Sequence, residues 1–102
     1  MMDYLKNYNM SDEQIKNIEK LIIERGQNID TFKYDPEKII SILNLFVSIG
    51  VTNIYQIIMT SPLMFRDTVN SIKNRINKYN DKSELARLLN EDANYLSLVG
   101  LL

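Results

Sequence analysis

The feature that most constrains this chain is the run Ile39 to Ile49, in which every residue except Ser41, Asn44 and Ser48 is hydrophobic. Those three fall at i, i+3 and i+7, one narrow stripe of a helix, so the spacing predicts a helix buried almost all round, with the stripe placed to face a ligand or to let another helix approach closely and share hydrogen bonds. Its ends are marked on either side. Asp35 can accept hydrogen bonds from the open amides of a first turn, Pro36 suits the first helical position, and Gly50 can take the left-handed conformation that stops a helix. A bilayer span takes about 20 apolar residues. This run is shorter, so the surfaces that cover it must be protein.

The flanking segments repeat the helical signal. Tyr4, Leu5 and Tyr8 are spaced for a short leading helix. Ser11 and Gln14 form a capping box before a helix over Asp12 to about Arg25, with Ile15, Ile18 and Ile22 inward and Gly26 as its stop. Gln27 to Tyr34 reads as a loop anchored by Ile29, Phe32 and Tyr34. After Gly50, Thr52 is placed to cap a short helix facing inward through Ile54, Ile57 and Ile58, and Ser61-Pro62 ends it and opens a tight turn over Pro62 to Phe65. A longer helix is expected from Asp67 to Tyr79, and Asp81 with Glu84 caps another carrying Leu85, Leu88 and Leu89. The last residues, Ala93 to Leu102, are strongly apolar. Sustained alternation and hairpin signals are both missing, so the chain is predicted to be all-α.

Length fits one helical domain over residues 1–102, standing alone or cut from a longer protein. Without cysteine or histidine the chain has no thiolate, disulfide or imidazole chemistry, and no phosphate-binding glycine loop or metal-ligand spacing is present. Paired acids such as Asp12-Glu13 and Glu91-Asp92 sit where helix capping explains them. The expectation is a protein that is not an enzyme and needs no cofactor or metal. No basic-then-apolar leader with a cleavage site is visible, so cytoplasmic residence is expected, with no membrane partner.

Sliding the sequence by 31 residues sets Leu45 on Ile76, Ile54 on Leu85, Ile57 on Leu88, Ile58 on Leu89 and Phe65 on Leu96. Apolar positions fall on apolar positions. The implied unit is a long helix, a tight turn, a shorter capped helix and a kinked turn, and such periods point to stacked helical repeats in which neighbours complete each other's core. The residues Ile42 to Thr52, then Ile54, Ile57 and Ile58, then Thr60-Ser61-Pro62-Leu63-Met64-Phe65 resemble a repeat of the mitochondrial transcription termination factor (MTERF) family. There, a helix ending in a Leu-Gly-type turn leads into a capped helix and an Asn-Pro-x-Leu-Leu-like turn. The later copy, Ile76 to Leu96, has Asp81 at the glycine position and Ala93 at the proline position. The resemblance implies an array of two to three helix-turn-helix units, a solenoid piece whose concave face in the family is basic and binds double-stranded nucleic acid.

Net charge is −1, which is no footprint of a protein built mainly to grip phosphates. Charge is uneven: Met1 to Thr60 carries six basic against eight acidic residues, whereas Phe65 to Lys82 carries five basic against two acidic. Arg75, Lys78 and Lys82 share one face of the expected helix and its extension, with Arg66 and Lys73 nearby, so these five are the candidate nucleic-acid contacts. Asn70, Asn74 and Asn77 are expected as exposed polar positions, and most of the six tyrosines as residues at the core's edge. The terminal run supplies the candidate protein interface, Leu98, Val99, Leu101 and Leu102, which folds back, pairs with a second copy, or continues into a longer chain. Two functions follow. The first is a non-enzymatic interaction module that binds a protein partner or self-assembles; the second is nucleic-acid binding through the basic ridge. A regulatory piece of a larger enzyme stands third.

Overall fold

Several helix starts in this chain are set by short polar side chains reaching back onto open amides. In the computed structural model, which describes residues 2–25 and 31–102, the Ser11 hydroxyl accepts from the Gln14 N–H at 3.1 Å and the Gln14 side-chain oxygen accepts from the Ser11 N–H at 3.0 Å. This reciprocal pair opens α1, Asp12–Arg25. One helical turn, α2, covers Thr31–Tyr34. Asp35 then accepts from the Lys38 N–H and opens α3, Pro36–Ile49, which is followed by α4, Ile54–Thr60. Thr68 caps α5, Val69–Asn77, through the Ser71 N–H, and Asp81 caps α6, Lys82–Glu91, through the Glu84 N–H. Among the described residues, three 3₁₀ turns, Asp3–Tyr8, Pro62–Arg66 and Ala93–Val99, complete the order. Among the described residues all regular structure is helical, and no helix is long and apolar enough to cross a membrane.

The apolar run of α3 is the hub. It packs against α2, α4, α5 and α6, while α1 and the Ala93–Val99 turn both pack on α4. Ile39, Ile42, Leu43 and Phe46 are fully buried, each worth about 1.5–3 kcal/mol of transfer out of water. Ser41, Asn44 and Ser48 are exposed where close approach of another helix was expected, and Val47 is exposed beside them, so one side of α3 is barer than an all-round burial would give. A single apolar cluster runs from Met2 to Leu101. Phe32 of α2 meets Phe65 edge-on with ring centroids 4.9 Å apart, and the Tyr4 hydroxyl donates to the Phe32 carbonyl at 2.7 Å, fixing the leading turn to α2.

Several expected boundaries move, each for a local reason. The expected helix from Asp67 to Tyr79 is shorter at both ends, because Thr68 takes the cap and the chain turns after Asn77. Asn53, not Thr52, precedes α4; the Thr52 N–H donates to the Asn90 side chain at 2.8 Å, and the Asn53 amide donates to the Leu89 carbonyl at 2.8 Å. Both residues tie α4's entrance to α6. In the expected loop Gln27 to Tyr34, Phe32 is buried as an anchor but sits on a helical turn, and Tyr34 is 80% exposed. Gly26 and Ile29 lie outside the described residues.

Two turns are closed by glycine in the same way. Gly50 has φ +110°; its N–H donates to the Val47 carbonyl and the Val51 N–H donates to that of Phe46, while Val51 and Phe46 are both buried. Gly100, at φ +69°, repeats this with the Ser97 and Leu96 carbonyls, and buries Leu101 after it. The end of α5 lacks a glycine. There the Lys82 ammonium folds back to donate to the carbonyls of Tyr79 at 2.8 Å and Asn77 at 3.3 Å.

Candidate interaction cleft

Lys82 therefore does not extend the basic face of α5: it opens α6 and is occupied by backbone carbonyls. The expectation that Arg75, Lys78 and Lys82 share one face assumed a helix continuing past Asn77. At 3.6 residues per turn, Arg75 and Lys78 share a flank of α5, whereas Lys73 projects from roughly the opposite side. Arg66 stands on the preceding 3₁₀ turn. Arg66, Lys73 and Lys78 are exposed, and Asn70, Asn74 and Asn77 are exposed as expected.

The terminal apolar run also divides. Val99 and Leu101 are core residues, 8% and 5% exposed, and the Leu101 carbonyl accepts the hydroxyl proton of buried Ser61. Leu98 and Leu102 remain at the surface, 50% and 58% exposed. The run folds back on the chain and presents alternate members outward.

These two divided groups meet. Arg75 from α5, Lys78 and Tyr79 just after it, and Leu98, Val99 and Gly100 at the end of the last turn line one cleft of about 230 Å³. Arg75 is held from two sides: Nη1 donates to the Gly100 carbonyl at 3.3 Å, and Nε lies 4.0 Å from the Asp67 carboxylate. Asp67 in turn accepts from the Ser71 hydroxyl at 2.8 Å and the Thr68 N–H at 2.9 Å, and these hydrogen bonds, Ser71 first, hold its carboxyl below the usual range. A Cβ on Gly100 would stand 2.6 Å from Arg75 Nη1, so glycine serves both the left-handed turn and the approach of the guanidinium. No sequence periodicity could place residue 75 against residue 100; only packing does.

A larger groove, about 460 Å³, lies between the leading 3₁₀ turn and α3. Asn7, Tyr8, Asn9 and Asn44 line it above Val47 and Val51, and the Tyr8 hydroxyl donates to Asn44 Oδ1 at 3.0 Å. It collects Asn44 from the predicted polar stripe. Its lining carries no acidic or basic side chain. Burial raises the Tyr8 phenol above its ordinary pKa, keeping it neutral.

The remaining charged chemistry is local. On α6, Arg87 bridges Glu84 and Glu91, and the hydrogen bond from Arg87 holds the Glu84 carboxyl below its usual range. Among the described residues no group of three or more acids could hold a metal ion. No family model, no curated protein and no solved structure matches the chain.

Proposed function

We propose that this chain is a non-enzymatic helical interaction module that receives a protein partner between α5 and the Ala93–Val99 turn. The observation that carries this reading is the convergence of the Arg75–Lys78 flank with half-exposed Leu98 on one cleft. A buried-edge apolar anchor beside oriented cations suits a protein side chain and its charged neighbour. Nucleic-acid binding through Arg66, Lys73, Arg75, Lys78 and Lys82 has weaker support: Lys82 caps α5, and Lys73 projects from the other flank. Gripping a duplex backbone needs several phosphates neutralised together.

We further read the two portions Pro36–Arg66 and Val69–Val99 as successive units of a short MTERF-like array. Supporting this is the recurrence, in the same order, of a helix, a second helix and a 3₁₀ turn. Cytoplasmic residence and the absence of a cofactor belong to the same proposal.

Fluorescence anisotropy with duplex DNA and duplex RNA at low and moderate salt tests the choice of partner class. The interaction reading expects no salt-sensitive binding. Duplex binding that weakens steeply with salt and is lost in Lys73→Glu with Lys78→Glu would replace it with the nucleic-acid reading. Sedimentation at rising concentration tests self-assembly: a dimer dispersed by Leu98→Ser with Leu102→Ser would make the partner a second copy.

A further inference from the structure

We propose that the occupant of the α5 cleft is an acidic peptide segment that places a carboxylate beside one bulky apolar side chain; this rests on the interaction-module reading above and specifies its partner. Charge complementarity is the first ground. Arg75 and Lys78 line the cleft and no acidic side chain does. The nearest carboxylate held by Arg75, that of Asp67, stands 4.0 Å from Nε and is already bonded by Ser71 and Thr68, so it steadies the guanidinium from behind.

Preorganisation is the second ground. A guanidinium carries five N–H donors in a rigid fork. With Nη1 on the Gly100 carbonyl and Nε toward Asp67, the Nη2 edge remains for an incoming carboxylate. Holding the side chain in place beforehand removes rotamer entropy that binding would otherwise cost. Lys78, about one turn on, supplies a second cation.

Size and apolar content are the third. At about 230 Å³ the cleft is below the ordinary range of small-molecule pockets and takes about one large side chain. Leu98 and Val99 supply its apolar lining, beside Tyr79. An anchor side chain with a carboxylate neighbour satisfies both halves of the lining, whereas a purely acidic chain would leave Leu98 wet and a purely apolar one would leave two cations unmatched.

The test is selection of a random 12-residue phage-displayed peptide library on the intact chain, followed by anisotropy of the enriched peptides. The expected result is enrichment of sequences with Asp or Glu within one helical turn of Leu, Ile, Phe or Trp. Their binding should fall about tenfold or more in Lys78→Glu, as for other truncated or reversed interfacial charges, and also in Leu98→Ser. Both positions are exposed, so the fold tolerates them, and circular dichroism checks this. Enriched peptides that are basic or uncharged, or binding that ignores Lys78→Glu while losing to Leu98→Ser, overturn the acidic occupant and leave the module reading standing. Failure to enrich any peptide overturns both.

Discussion

The portions Pro36–Arg66 and Val69–Val99 trace the same order of helix, helix and tight turn, yet almost none of their turn chemistry is shared. The first ends its long helix on Gly50 at φ +110° and needs Val51 buried to close the turn. In the second, the position matched to Gly50 is Asp81 at φ −103°, already the cap of the next helix, and Lys82 satisfies the carbonyls that glycine geometry would have satisfied. The consequence is a shift of register: α6 begins at Lys82, three residues ahead of Leu85, the counterpart of α4's first residue Ile54. The kinked turn differs too, with Ala93 where the first portion has Pro62. What persists is the set of buried apolar positions. Packing therefore sets the path, and each turn uses whatever local device fits it. The portions are also cross-tied: the Asn90 side chain on α6 accepts from the Thr52 N–H and donates to the Gly50 carbonyl, so the glycine turn of one leans on the helix of the other.

The largest test of this comparison lies at the matched core pair Phe65 and Leu96, both essentially unexposed. Phe65→Ala should cost about 3–5 kcal/mol and Leu96→Ala about 2–5 kcal/mol, read from urea unfolding. If both portions share one core, each variant should lower a single common transition; two separate transitions would break the equivalence.

The turns should respond unequally. Gly50→Ala forces a left-handed conformation on a side chain and should cost about 1–2 kcal/mol. A Cβ there would meet Ala86 at an ordinary 3.5 Å, so conformation and not crowding is the cause. At the matched position, Asp81→Gly should cost only a few tenths of a kcal/mol, and Asp81→Ala about 1 kcal/mol, because only the cap to Glu84 is at stake. Equal costs at 50 and 81 would mean the two turns are held alike.

A smaller, pH-dependent difference follows from Asp67, whose counterpart in the first portion is Pro36. Its folded carboxyl is held below the usual range by Ser71 and Thr68. That contribution is fully present above the unfolded carboxylate value and is lost as pH falls through the lowered folded value. Ser71→Ala should flatten this acid limb in stability measured against pH. The effect is modest because Asp67 is well solvated.

Helix positions were legible because their causes are local: the capping side chains Ser11, Asp35 and Asp81, the glycine stop at 50 and the apolar spacing of α3 all lie within a few residues of what they control. Thr68, the cap of α5, lies just inside the helix start expected at Asp67. The cleft was legible only in halves. Arg75 and Lys78 stood out as cations and Leu98 as exposed grease, but their meeting depends on Gly100 letting the chain end close over α5. Likewise Lys82 looks like a surface cation until the turn at Tyr79 brings its ammonium onto two carbonyls.

The most direct measurement is amide hydrogen exchange on the chain alone and saturated with an enriched peptide. Added protection should gather at residues 75–79 and 98–101, on both walls of the cleft. Protection gathered instead along the groove of Asn7, Asn9 and Asn44, or around Arg66 and Lys73, would contradict the account.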